Sequence, residues 1–190
     1  MKKITVLTPT YNDSESIKET LTSLLNQSYT NWESIIIDDG STDNTKSIIE
    51  NFKKENNLEN KIKYIYQENK DQLNAILNGL NYISGDYIFL LHSDDLLPCN
   101  DFFEKLISSI EKYNCDALIG DFQIINENSQ VVDCWRALKY RNLKCIPVIL
   151  LLNQGANFYG DFGLWKKEIY INYIKNNYLS WNTPFWIDLQ

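Results

Sequence analysis

Two adjacent carboxylates, Asp94 and Asp95, follow His92 and Ser93 within the stretch Ser84–Pro98 (SGDYIFLLHSDDLLP). Just before them, the mostly apolar run Asp86–Leu91 has a glycine ahead of it and turn signals on both sides, so it reads as a buried strand. Carboxylates placed where a buried strand opens into a loop repel one another and lose hydration. A divalent cation is the usual compensation, because Mg²⁺ and Mn²⁺ prefer carboxylate oxygens and often share them with substrate phosphates. Asp and Ser also favour helix caps and turns, so this stretch alone supports a cation site and a cap about equally.

The elements that must position these residues follow from periodicity. Ile4–Thr8 reads as a buried strand turning out through Pro9–Asn12, and Ser16 and Glu19 stand in capping-box register before a helix with Ile17, Leu21, Leu24 and Leu25 on one face. Ser34–Ile37 reads as a second buried strand ending in Asp38–Asp43 (DDGSTD), followed by a helix with Ile48, Ile49 and Phe52 inward. Ile62–Tyr66 is a third strand. Leu73, Ile76, Leu77 and Leu80 mark a third helix, Gly85 stands near its stop signal, and the strand Asp86–Leu91 comes next. A helix carrying Phe102, Phe103, Leu106, Ile107 and Ile110 and a strand Ala117–Ile119 close the regular part. Strand and helix alternate throughout, which predicts an α/β fold: a Rossmann-like, mostly parallel central sheet with helices on both faces. Ligands of such sheets bind beyond the carboxyl ends of the strands, where Pro9–Asn12, Asp38–Asp43 and His92–Asp95 all fall. That convergence favours a site over three unrelated caps.

After Gly120 the rhythm changes. Phe122–Glu127 and Gln130–Trp135 predict a hairpin, Pro147 suits the first turn of a short helix over Val148–Leu152, Gly155–Trp165 is rich in glycine and aromatics, and Lys166–Ile174 predicts a helix.

The 190 residues suit a single domain, 1–190, and a net charge of −7 argues against a nucleic-acid footprint, which needs a basic face. Cys99, Cys115, Cys134 and Cys145 show no metal-binding or redox spacing and no signal peptide precedes them. Reduced thiols in a cytoplasmic protein are therefore expected. The longest apolar run, Cys145–Leu152, is too short to span a bilayer; peripheral contact at the inner face of the cell membrane stays open.

The stretches LTPTYN (7–12), IIIDDGSTDNT (35–45), NGLNYISGDYIFLLHSDDLLP (78–98) and, more weakly, FGLWKKEIY (162–170) together resemble the family 2 glycosyltransferases, inverting enzymes of the GT-A fold. The resemblance implies a nucleotide-sugar-binding half over 1–120 and an acceptor-side half over 121–190. The chain ends soon after Asp188, where relatives continue with acceptor-side helices, so that half is expected to be truncated or minimal. Carried onto matching positions, the resemblance implies that Pro9, Thr10 and Tyr11 pack around the nucleoside and that Asp39 accepts a hydrogen bond from the base. Asp38 supports its own loop and Asp43 caps a helix. Ser93 and Asp94 belong to the nucleotide site, Asp95 chiefly holds Mn²⁺ or Mg²⁺, and Asp94 serves ribose or metal. Asp188 is expected to be the catalytic base, with Asp161 the rival acid. Lys70 is the single basic residue offered to the diphosphate, and His92 stands where many relatives carry Asp, which suggests a supporting role or a part in donor choice.

The implied activity is transfer of a sugar from a nucleotide-sugar, with UDP the expected nucleotide, to a hydroxyl of a growing glycan or lipid-linked saccharide, in surface polysaccharide or glycolipid biosynthesis. The alternatives are a non-catalytic nucleotide-sugar-binding domain, separated by turnover that depends on Asp188, and a sugar nucleotidyltransferase. The latter wants a Gly-rich, basic first loop, whereas Leu7–Asn12 has neither Gly nor Lys.

Overall fold

The computed structural model describes residues 1–119, 122–126, 128, 130–135 and 163–180. Five strands of the first 119 residues and one late strand form a six-stranded sheet. They are β1 (Ile4–Thr10), β2 (Trp32–Asp39), β3 (Ile62–Gln67), β4 (Tyr87–Leu90), β5 (Ala117–Ile119) and, after the separate hairpin β6 (Phe122–Ile125) and β7 (Val131–Trp135), the strand β8 (Gly163–Lys166). The sheet order is β3-β2-β1-β4-β8-β5, parallel except for β8, which runs antiparallel to both β4 and β5. The helices are α1 (Ile17–Leu25), α2 (Thr45–Glu55), α3 (Gln72–Gly79), α4 (Phe102–Tyr113) and α5 (Lys167–Ser180).

Period-two alternation of the strands divides the core. Ile4, Val6, Ile36 and Phe89 face α1, α2 and α4, packing on Leu21, Leu24, Ile49, Phe52, Phe103 and Ile107. Leu7, Ile35, Ile37, Ile88 and Leu90 face the other way, onto Ala75 and Ile76 of α3 and Tyr170 and Ile174 of α5. Strands buried on both faces cannot show a polar stripe, which is why these segments read as continuous apolar runs. Gly79 lets α3 sit close to the sheet: a Cβ there would stand 2.3 Å from Leu7 Cδ1.

The expected sheet and its two helical faces are present, with three differences. No pattern within Gly155–Trp165 predicts a strand, yet β8 lies between β4 and β5; only four residues long, it is picked out by its neighbours rather than by any pattern of its own. The Ser16–Glu19 capping box is not made, since Ser16 caps with its backbone carbonyl, which accepts from Glu19 N at 2.9 Å, and makes no side-chain cap bond. β1 continues as a strand through Pro9 and Thr10 because Thr10 still pairs with Asp38. The short helix expected over Val148–Leu152 lies outside the described residues. Cys99, Cys115 and Cys134 are free thiols.

At the amino ends of the strands, Glu33 gathers Lys3 Nζ (2.7 Å), Thr5 Oγ1 (2.6 Å), Ser84 N (2.8 Å) and Ser84 Oγ (2.7 Å). Burial alone would push its carboxyl up, but the hydrogen bonds from Lys3, Thr5 and Ser84 outweigh that and hold it at about 2, against an ordinary 4.5. A lowered folded-state value means the stabilisation is present above pH 4.5 and is lost as pH falls towards 2. Glu33→Gln is accordingly expected to cost about 2 kcal/mol at neutral pH. Urea titrations of both proteins should show that gap closing on the acid side of pH 4.5, and a gap independent of pH would contradict the assignment.

Candidate nucleotide-sugar site

Parallel register brings the carboxyl ends of β1, β2, β3 and β4 to one edge: Thr10 lies beside Asp38, Asp39 beside Gln67, and Leu7 beside Leu90. A cavity of about 350 Å³ opens there, lined by Pro9, Tyr11, Asp13, Asp39, Asn69, Asp71, Gln72, His92, Ser93 and Asp94. Its size suits a small-molecule ligand.

The loops around it are tied to one another by side chains. Between the β1 and β2 exits, Asn12 N donates to Ser41 Oγ (2.8 Å), Asn12 Oδ1 accepts from Thr42 N (2.8 Å), and Asp43 Oδ2 accepts from Ser14 N (3.0 Å). Asp43 Oδ1 accepts from Thr45 N at the start of α2. Burial would raise the Asp43 carboxyl, but these bonds from Thr45 and Ser14 prevail and hold it at about 2. Asp38 supports its loop as expected, accepting from Ser41 N (2.8 Å) and Tyr64 Oη (2.5 Å).

Asp39, 4% exposed, accepts from Gln67 Nε2 (2.7 Å), Lys70 N (3.0 Å) and Asp71 N (3.0 Å). A buried carboxylate is tolerated when donors replace its lost water, and here the same bonds fix the entry to α3. Gly40, at φ +85°, permits this approach, since a Cβ would lie 2.8 Å from Asn69 N. Asp71 adopts φ 147°, a conformation that disfavours any side chain, and is held there from both sides. Its N–H binds Asp39, while its carboxylate accepts from Asn74 N (2.8 Å) and Asn74 Nδ2 (3.0 Å) to cap α3. Gln72 Nε2 then donates to His92 Nδ1 at 2.8 Å, linking α3 to the β4 exit.

Of the residues expected in the site, Pro9, Tyr11, Asp39, Ser93 and Asp94 line the cavity. Tyr11 is 50% exposed, an aromatic face available for stacking. Thr10, Lys70 and Asp95 do not line it. Thr10 is buried and its hydroxyl donates to Asp13 Oδ2 (2.8 Å). Lys70 contributes its backbone N–H to Asp39 while the residue itself is exposed. Asp95 is half-buried, with its N–H on His92 O (3.1 Å). Asp188 and Asp161 lie outside the described residues. Sequence reasoning does not single out Asp13, Asn69, Asp71 or Gln72 for the site. A non-glycine residue at φ 147° leaves no trace in a single sequence.

The wall carries Asp13, Asp39, Asp71 and Asp94 and, among the described residues, no Lys or Arg. Asp13, Asp39 and Asp71 are each occupied by donors from the chain. Asp94 is exposed, and no hydrogen bond from another described residue reaches its carboxylate. Among the described residues, no group of three or more His, Cys, Asp or Glu side chains is placed to hold a metal ion unaided. An open carboxylate beside a polar cavity suits an ion such as Mg²⁺ or Mn²⁺, which takes one or two protein carboxylates and fills its shell from ligand phosphates and water.

A mostly parallel sheet with one antiparallel strand let in beside β4, and an acidic cavity at the carboxyl edge, is the architecture of a GT-A glycosyltransferase domain. Residues 5–185 match the profile of Glycosyl transferase family 2, and the chain belongs to that family. It is 31% identical over 192 residues to the UDP-Glc:alpha-D-GlcNAc-diphosphoundecaprenol beta-1,3-glucosyltransferase WfgD of Escherichia coli, covering 93% of this chain and 72% of that protein. Other curated relatives are much longer: the chain spans 18% of a Streptococcus pneumoniae glycosyltransferase, GlyA, to which it is 36% identical over 126 residues. In fold it is similar to residues 1–349 of Staphylococcus aureus TarS solved with UDP-GlcNAc (TM-score 0.69, 19% identity, 92% of this chain and 47% of that one). Among the described residues, no helix is long and apolar enough to cross a membrane.

Proposed function

We propose that this chain is the donor-binding and catalytic region of a cation-dependent inverting glycosyltransferase that moves a sugar from a UDP-sugar to a hydroxyl of a growing glycan or lipid-linked saccharide. The observation that carries this reading is the cavity at the carboxyl edge, where an exposed tyrosine, a buried aspartate and an open carboxylate face one space. Tyr11 offers its ring to the base, Asp39 keeps a lone pair for a base N–H, and Asp94 takes the cation. WfgD is named for a UDP-sugar donor and a lipid diphosphate-linked acceptor, and TarS was solved with UDP-GlcNAc; both support the choice of donor class.

Asp94 would hold a divalent cation, which would supply Lewis-acid stabilisation of the charge that develops on the departing nucleoside diphosphate. In the transfer itself, the acceptor hydroxyl oxygen bonds to the anomeric carbon as the bond from that carbon to the diphosphate oxygen breaks. Asp188 takes the acceptor proton, and attack from the face opposite the leaving group inverts the centre. Asp39 and Asp71 keep the α3 entry in place against the bound nucleotide, a role that needs no contact with the reacting atoms.

Calorimetric titration with UDP and with GDP, each with and without Mn²⁺, tests the reading. UDP binding strengthened by Mn²⁺ at least about tenfold is expected, because phosphate oxygens complete the ion's shell. Absence of binding by either nucleotide in the presence of Mn²⁺ would leave the cavity without a donor role.

A further inference from the structure

We propose that Asp13 is a positioning residue that couples the nucleoside end of the site to its cation end; the proposal rests on the donor-site reading given above. One oxygen of this carboxylate, Oδ2, accepts three hydrogen bonds: from Thr10 Oγ1 (2.8 Å), from Tyr11 N (2.9 Å) and from Ser93 Oγ. The first two donors belong to the exit of β1 and fix where the Tyr11 ring begins. The third lies 80 residues further on, at the exit of β4, immediately before Asp94.

The backbone does not make this connection. β1 and β4 pair from Ile4 beside Tyr87 to Leu7 beside Leu90, and the last bond between them runs from Leu91 N to Leu7 O (3.0 Å). Past that point the two strand exits carry the residues that would meet the ligand, and Asp13 spans them. Ser93 is held from its other side as well, since its carbonyl accepts from Thr20 Oγ1 (2.8 Å) in α1. The arrangement also accounts for two residues expected to touch the nucleotide: the hydroxyls of Thr10 and Ser93 are turned onto Asp13. They act through it, leaving Tyr11, Asp39 and Asp94 to meet the ligand.

A plainer role exists for the same residue. The Asp13 backbone carbonyl accepts from Ser16 N (3.2 Å) and Ile17 N (3.0 Å), so Asp13 also begins the turn into α1. A residue that only shaped this turn would change stability and leave the linkage between nucleotide and cation untouched. A residue that clamps the two loops changes that linkage, because cation held at Asp94 then no longer fixes the diphosphate relative to Tyr11.

The discriminating quantity is therefore a ratio: the UDP dissociation constant without Mn²⁺ divided by that with Mn²⁺. It is measured by calorimetry on wild type, Asp13→Asn and Asp13→Ala, with urea midpoints recorded for each. The ratio is expected to fall about tenfold in Asp13→Ala and about threefold in Asp13→Asn, whose neutral amide oxygen still accepts but less strongly. If Asp13→Ala does not fold, the asparagine variant, which keeps the side-chain volume, decides alone. A lowered urea midpoint with an unchanged ratio would reduce Asp13 to a structural turn residue and overturn the proposal while leaving the donor site standing. A wild type that binds UDP with no help from Mn²⁺, or not at all, would remove the cation-linked donor site and this proposal with it.

Discussion

Asp188→Asn is expected to lower kcat for sugar transfer by about 10²–10⁴-fold, the usual contribution of a positioned general base, with UDP affinity in the presence of Mn²⁺ unchanged. The acceptor hydroxyl is a poor nucleophile until its proton has somewhere to go, and asparagine keeps the shape of the aspartate while removing the basic lone pair. Since the described lining of the donor cavity runs from Pro9 to Asp94, a change at residue 188 is expected to leave nucleotide binding alone. The measurement is turnover of a UDP-sugar with an acceptor panel, beside calorimetry on the same preparation. Should Asp188→Asn keep full turnover while Asp161→Asn loses it, the base is Asp161. Loss of nucleotide binding in Asp188→Asn would instead mean that the tail contributes to the donor site.

Asp94→Ala carries the second large effect. It is expected to abolish the Mn²⁺ enhancement of UDP binding and to cut kcat/KM by about 10²–10³-fold, the range lost when a group stabilising the developing anion is removed. Asp95→Ala is expected to do much less. The pair looks symmetrical in sequence, and sequence reasoning places the cation chiefly on Asp95. We propose its neighbour for that role, because Asp94 stands on the cavity wall with an open carboxylate whereas Asp95 is half-buried outside the lining. Parallel titrations of the two alanine variants decide the matter. A greater loss in Asp95→Ala would return the cation to Asp95 and require the β4 exit to rearrange when ligand binds.

The scale of both effects depends on how little else is available in the cavity. With no Lys or Arg on its described wall and four carboxylates facing it, a diphosphate would meet net repulsion there unless a cation accompanies it. Lys70 does not relieve this, being exposed and absent from the lining.

Much of this site is legible in the order of the amino acids. The alternation of apolar runs and helical faces yields the element order through Ile119, and the parallel-sheet rule places Pro9–Asn12, Asp38–Asp43 and His92–Asp95 at one edge. Those features are local: a strand end, a turn residue and an apolar period are each written in a few consecutive residues. The clusters that hold Tyr11, Asp39, Ser93 and Asp94 can be located for that reason, and the resemblance to family 2 glycosyltransferases implies the individual residues. What stays hidden is non-local. β8 is a four-residue strand whose place between β4 and β5 is set by its neighbours, so no periodicity announces it. Asp39 acts on backbone N–H groups 31 and 32 residues away, and Asp13 receives a hydroxyl 80 residues away. Asp71 is held in its conformation by Asp39 on its N–H and by Asn74 on its carboxylate. A hydrogen bond between a side chain and a distant backbone group has no spacing rule to betray it. The strand-end clusters that line the cavity are therefore set by local sequence, and the bonds that hold them in place by the tertiary fold.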